Sequence, residues 1–308
     1  MIDRQMFIAV YEVENSNPNG DPDMSGMPRI DSETEKGLIT DVCVKRHSRN
    51  YMQDIKGKEL FISKGSILGN TVKDAVKKVT SDMKKKDATK KEIEDAVVKL
   101  LCAKYWDARV FGAVLTTKKE EDSGDDSEGA EDGKGKGKGI NAQIHGPVQI
   151  AIGQSIDRVK FNTFCITRCA VASDKESKNQ DGMNQTMGNK SVVSYGVYVV
   201  KGYIDPYKAE KTGFVQKDAE DLFESLLAGF SKSSARTHVG LRRLYTIEHL
   251  NSPLNLMNDF DIEDAFTISK KVGVDSASKF SDYDAVWDMK KIVKGIRIKE
   301  LVSGKEVK

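Results

Sequence analysis

The sequence predicts an α+β fold in which a strand, helix, strand, strand, helix, strand succession is interrupted by long insertions. Three observations lead there. The run from Met6 to Val13 is apolar and aromatic, broken only by Glu12, as in a strand covered on both faces. Two segments, one opening at Asp41 and one at Asp218, carry apolar residues at helical spacing. Shorter alternating runs at 146–157, 162–173, 191–205 and about 244–248, bounded by turn residues, read as strands.

At 308 residues the chain has room for one large domain with insertions or for two ordinary ones. Its 38% hydrophobic and 31% charged residues are those of a globular protein. Its longest apolar runs, such as Val197 to Val200, are too short for a bilayer. The opening MIDRQMFIAV reads as a first strand, lacking the basic and apolar regions of a secretory signal, so a cytoplasmic protein with no membrane association is expected. Cys43, Cys102, Cys165 and Cys169 have no paired spacing and no histidine stands near them at ligand spacing. Neither a disulfide framework, a zinc site nor any other cofactor is therefore expected. The 49 basic and 47 acidic residues leave a net charge of +2, so a nucleic-acid site would have to be local.

After the first strand, Pro18, Gly20, Pro22, Gly26 and Pro28 oppose regular structure and predict a long loop to Thr40. Thr40 is a candidate N-cap for a helix whose Val44, Ser48, Tyr51 and Ile55 share a face. Lys45, Arg46 and Arg49 share another, either a solvated face or a cationic stripe beside the loop. Residues 59–69 suggest a short hairpin, followed by two lysine-rich helices at 72–83 and 93–106. Residues 118–139 are an acidic block then a Gly-Lys block, expected as a disordered excursion.

The segment 146–157 predicts a return strand, and two further strands flank an arm carrying Lys175, Lys178, Asn184 and Gln185, with Met183 and Met187 as apolar tips. Ala219, Leu222, Phe223, Leu226, Leu227 and Phe230 define the second core helix, ending near Gly229. A Ser-rich turn with Arg236 follows, then Arg242 and Arg243 at the expected entrance of a strand over 244–248. IVKGIRIKELV predicts a last strand on the sheet edge. The whole order fits a ferredoxin-like sheet of the RRM type, in which the basic clusters would line one rim.

Asp21, Asp23, Asp31 and Asp41 invite a metal-dependent phosphohydrolase reading, since hard cations take clustered oxygens. The DPD spacing lacks the calcium-loop series, and Asp, Asn, Pro and Gly are also what tight turns contain. No phosphate-binding GxxxxGK[ST] loop, GxSxG elbow or dinucleotide GxGxxG is present, so the sequence does not read as an enzyme.

The blocks NSNPNGDPD, MPRID, GLITDVCVKR, DARVFGAVLTT, GPVQIAIGQSID, ITRCAVAS, TMGNK, YGVYVVKGYI and SSARTHVGLRRLY, in this order, resemble the Cascade backbone subunit of subtype I-C CRISPR systems, the Csd-type branch of the Cas-seven family. The resemblance spans roughly residues 6–249. It implies a modified ferredoxin-like/RRM palm (1–55, 146–161 and 191–308), a helical fingers insertion (56–145, with the loop at about 118–140) and a β-hairpin thumb (162–190). It also implies a non-catalytic subunit that polymerises along the spacer of a guide RNA (crRNA). The guide is thereby presented for pairing with target DNA in antiviral defence. Implied partners are further copies of the chain, a guide-processing subunit, a large subunit and a recruited helicase-nuclease.

Carried over position by position, Lys45, Arg46, Arg49 and Arg168 would contact guide phosphates. Met187, with Lys190 nearby, would wedge at a kink in the guide. Asn17 and Asn19 would approach the RNA, and Arg236, Arg242 and Arg243 would lie near the guide or the next copy. His47 and Asn189 depart from the more basic pattern of the family. Since relatives in other CRISPR types cleave RNA with an acidic loop residue, the alternative is a metal-dependent endoribonuclease centred on Asp21 or Asp23.

Overall fold

The structure is a computed structural model that describes residues 2–83, 89–116, 140–168, 186–230 and 238–307. In chain order its elements are β1 (Gln5–Ser16), β2 (Gly20–Asp21), β3 (Met27–Pro28), β4 (Lys36–Ile39), α1 (Asp41–Asp54), α2 (Leu68–Asp82), α3 (Lys90–Lys104) and α4 (Trp106–Phe111). There follow β5 (Gly112–Thr116), β6 (Asn141–His145), β7 (Val148–Ile150), β8 (Gly153–Arg158), β9 (Lys160–Arg168) and β10 (Thr186–Ile204). The chain continues with α5 (Pro206–Thr212), α6 (Gln216–Ala228), β11 (Val239–His249), α7 (Asp259–Asp264), β12 (Phe266–Lys270), β13 (Tyr283–Trp287), β14 (Ile296–Glu300) and β15 (Lys305–Glu306). The excursion expected over 118–139, the polar part of the arm and Arg236 lie outside the described residues. Among the described residues no helix is long and apolar enough to cross a membrane.

Two compact units result, one mainly Met52–Gln149 with Ile204–Asp221, the other Asp3–Tyr51, Ile150–Tyr203 and Leu222–Lys308. In the first, α2 and α3 pack together against the antiparallel β5–β6 hairpin. Val72, Ala75 and Val79 of α2 meet Val97, Leu101 and Cys102 of α3, with Leu115 and Ile144 from the hairpin. Thr89 and Glu92 form a capping box that starts α3, and the helix ends at Lys104, two residues short of the expected limit, with Trp106 opening the separate α4.

The hairpin expected over 59–69 is not formed. The buried Asp107 carboxylate accepts the amides of Phe61 at 2.7 Å and Ile62 at 3.0 Å, so this stretch finds its hydrogen bonds without a partner strand. Arg109 clamps the same unit from α4, reaching both carboxylate oxygens of Asp218 at 3.0 and 2.8 Å and the Cys102 carbonyl at 2.7 Å.

In the second unit the sheet runs β15-β14-β11-β1-β10-β8-β4, with β9 also paired to β10. With α1 between β1 and β8 and α6 between β10 and β11, the chain is the α+β fold with a central sheet that the sequence predicts. Strand β1 pairs antiparallel with β11 from Gln5↔Glu248 to Val13↔Val239. Its odd residues face the helices: Phe7 packs edge-on to Phe223, and Tyr11 lies 4.9 Å from Phe230 and donates its hydroxyl to the Leu226 carbonyl at 3.1 Å. From α1, His47 stacks on Phe230 at 4.2 Å.

Met6, Ile8 and Val10 instead join Tyr245, Ile247, Ile262, Tyr283 and Ile298, so the C-terminal residues form a second layer on the opposite sheet face. This double cover is why β1 is apolar on alternate and intervening positions alike. A side chain cannot stand at Gly37, where an added Cβ would lie 2.2 Å from the Tyr198 hydroxyl.

Several boundaries differ from expectation. The return strand splits into β7 and β8, and β15 rather than β14 forms the sheet edge. Ile55 lies past the end of α1 and Leu227 points outward, both about half exposed, because neither has a layer to cover it. Strand β11 begins at Val239, so Arg242 and Arg243 lie within it and not at its entrance.

Candidate nucleic-acid interface

The loop after β1 is tied down residue by residue. Asn19 is buried, and its Oδ1 accepts the Thr40 amide at 2.9 Å and the Thr40 hydroxyl at 2.8 Å, strapping the loop to the start of α1. Asn17 donates to the Gly26 carbonyl at 2.8 Å and to the Ser191 carbonyl at 3.4 Å, while its buried Oδ1 accepts no hydrogen bond. The second contact joins the loop to β10 beside Lys190, whose side chain is exposed. Asn17, Asn19, the first turns of α1 and Lys190 are therefore one neighbourhood.

Within α1, Lys45 pairs with Asp41 at 2.9 Å and remains partly exposed. Arg46 is half-buried, whereas Arg49 is only 7% exposed, so the stripe expected from spacing narrows to Lys45 and Arg46 at the surface. Burial of α1 against the sheet takes Arg49 with it, which spacing alone cannot reveal.

Strands β9 and β10 pair from Lys160↔Tyr195 to Arg168↔Thr186, forming an antiparallel arm. Phe164 and Ile166 are 53% and 44% exposed on it, at the two-residue spacing that puts them on one face. Arg168 faces Thr186 and Met187 faces Thr167 in the backbone register. The apolar residues of the arm were legible in the sequence only as strand pattern; the structure leaves Phe164 and Ile166 on its surface.

Arg242 and Arg243 do not join this neighbourhood. The β1–β11 register passes from Val10↔Arg243 to Tyr11↔Leu241, leaving Arg242 as the extra residue of a bulge. Both guanidiniums lie near the Phe280 ring, at 5.7 and 5.5 Å, on the face covered by the C-terminal layer and opposite α1. The expected common rim of basic clusters is thus divided between the two sheet faces.

Glu12 organises that second face. It accepts from Arg242 at 2.7 Å, from the Tyr195 hydroxyl at 2.8 Å and from the Phe280 amide at 2.8 Å. Burial, then the hydrogen bond to Glu12, pushes the Tyr195 hydroxyl well above the ordinary tyrosine range, so it stays a donor. Glu12, the one charge within the apolar run from Met6 to Val13, was the sequence signal for this hub.

The loop carboxylates are engaged in turns and pairs. Asp21 pairs with Arg29 at 3.0 Å and accepts the Asp23 amide at 3.1 Å. Asp31 accepts the Thr34 amide and hydroxyl at 2.7 and 2.8 Å, contacts that hold its carboxyl below the usual range. Among the described residues no group of three His, Cys, Asp or Glu is placed to hold a metal ion.

Residues 3–288 match the family of CRISPR-associated protein Cas7. The CRISPR-associated protein Cas7 of Haloferax volcanii is 30% identical over 223 residues, 72% of this chain and 62% of that protein, so the chain spans less than two thirds of this relative's length. Among solved structures, a chain of a CRISPR RNA-guided surveillance complex in a pre-nicking state has a TM-score of 0.44 at 10% identity, covering 82% of this chain and 80% of the other. A chain of a second RNA-guided surveillance complex has a TM-score of 0.40 at 10% identity, covering 81% and 72%. A chain of the Type III-B Cmr-beta complex bound to cognate target RNA has 0.40 at 9% identity, covering 80% and 61%. With a family match that runs through almost the whole sequence, this chain belongs to the Cas7 family of CRISPR-associated proteins.

Proposed function

We propose that the chain is a non-catalytic, guide-RNA-binding backbone subunit of a subtype I-C Cascade, copies of which polymerise in the cytoplasm along the spacer and present the guide for pairing with target DNA. Its other partners are a guide-processing subunit, a large subunit and a helicase-nuclease recruited after pairing. The observation that carries this reading is the contact of Asn17 with Ser191, which sets the β9–β10 arm beside the ordered loop and the start of α1. The strand order β11-β1-β10-β8 supports an RRM-type palm. Because helices cover one sheet face and the C-terminal layer much of the other, a strand of RNA would run along this loop, helix and arm, not across the sheet.

Backbone contact of this kind holds phosphates and leaves sequence reading to base pairing. If each copy neutralises about three phosphates, the slope of log affinity against log salt is roughly −2 per copy. Neighbouring copies on one RNA raise effective concentration and strengthen assembly by about a hundredfold or more.

Size-exclusion chromatography of the chain with a long guide RNA and magnesium, followed by a denaturing gel, tests the proposal. RNA-dependent multimers with intact RNA are expected, and Lys45→Ala with Lys190→Ala should flatten the salt slope by about one. An RNA-free monomer would sink autonomous assembly. Discrete magnesium-dependent fragments, lost on substituting Asp21 and Asp23, would replace the proposal with the endoribonuclease reading.

A further inference from the structure

The C-terminal layer covers its sheet face as far as Ile298 on β14 and leaves the edge beside Lys305 on β15 open. Register carries one row of side chains across that face, from Ile8 on β1 to Tyr245 on β11, Glu300 on β14 and Lys305 on β15. Ile8 is fully buried under the layer, while beyond Tyr245 the row opens into a shallow, solvent-open cavity of about 480 Å³. Arg243, Tyr245, Trp287, Glu300 and Lys305 line it. We propose that this cavity binds a single nucleotide, with the base against Trp287 and the phosphate between Arg243 and Lys305.

The wall is preorganised. Trp287 packs on Phe266 at 4.8 Å and meets the edge of Tyr245 at 5.4 Å, so its indole is held in place before any ligand arrives. Arg243 is fixed by its donation to the Arg242 carbonyl at 3.1 Å and its approach to the Phe280 ring. The carboxylate of Glu300 is occupied by the amides of Val302 and Ser303 at 3.2 and 2.8 Å, and two cations against this one engaged anion favour a negative ligand. An inorganic anion would leave the aromatic wall unused, and an apolar segment would bring no negative charge to Arg243 and Lys305. A base carrying a phosphate satisfies both, because every base has a face that stacks on an aromatic ring.

The site lies on the sheet face opposite α1 and does not depend on guide binding there. The ligand can be a free nucleotide or one unit of a strand, and titration with adenosine 5′-monophosphate and with a single-stranded tetra-adenylate separates these sources. The chain has two tryptophans, and Trp106 is 1% exposed, so quenching of fluorescence reports Trp287. Adenosine 5′-monophosphate is expected to quench saturably, while adenosine binds about fivefold or more weakly and ribose 5-phosphate does not quench.

Lys305→Ala, on the exposed edge strand, should weaken the monophosphate about fivefold and leave melting unchanged. Calorimetry gives a second measurement independent of the indole, in which Trp287→Phe also weakens binding. Tighter binding of the tetra-adenylate assigns the site to a strand, and equal binding assigns it to a mononucleotide. Absence of saturable binding by either method overturns the inference, as do equal affinities for adenosine and its monophosphate. Nucleotide binding by a chain that fails to assemble on guide RNA would remove the proposed function alone.

Discussion

Replacing Asn19 by Ala removes the acceptor of two hydrogen bonds, from the Thr40 amide at 2.9 Å and its hydroxyl at 2.8 Å, and a weaker donation to the Gly20 carbonyl at 3.3 Å. Each of the two short bonds contributes about 1 kcal/mol net, and leaving the amide without a partner adds about 1 kcal/mol, so the expected loss is about 2–3 kcal/mol. Asn19→Asp keeps both acceptances and places a negative charge before α1, where the helix dipole favours it, so its expected loss is about 1 kcal/mol or less. Urea unfolding measures both, read as a shift in midpoint at constant slope.

The same pair of variants separates a strap from an RNA contact. Asn19 is buried and engaged, so the Asp variant should retain guide affinity. A folded Asp variant that loses about tenfold or more in affinity would show that Asn19 faces phosphate, a difference of about 1.4 kcal/mol. An Ala variant within about 0.5 kcal/mol of the parent would refute the strap itself.

Three further outcomes are expected. Arg109→Ala leaves the Asp218 carboxylate buried without its guanidinium and should cost about 3–5 kcal/mol in denaturant unfolding, with a near-neutral result excluding the clamp. Gly37→Ala forces an added Cβ into the Tyr198 ring and should lower the melting midpoint. Combining it with Tyr198→Phe, which removes a buried hydroxyl that lacks a partner, should recover part of the loss. His249 is fully buried, and desolvation holds its imidazole below the ordinary range, against the opposing pull of Asp259. The unfolded chain therefore binds the extra proton first, and stability should fall as pH drops from about 6.5 toward the lowered value, a slope that His249→Gln should remove.

Local pattern was enough for the succession of core elements. An apolar run broken only at Glu12 specified a doubly covered β1, and helical spacing placed Val44, Leu222 and Leu226 in the core. The loop of Asn, Pro and Gly after β1 was legible because those residues disfavour ladders and helices wherever they occur. Motif order alone carried the family.

Spacing did not reveal which face of α1 the fold would bury, and Arg49 went in with it while Lys45 stayed out. The stretch around Phe61 resembled a hairpin because its partner, Asp107, is distant in sequence. Arg242 and Arg243 looked like part of one cationic track until the bulge and the C-terminal layer put them on the far face of the sheet. The sequence by itself determined the periodicities, breakers and order of elements, because these depend on neighbours within a few residues. Only the tertiary structure decided which charges share a surface, because that follows from strand register and layer packing between residues far apart in the chain.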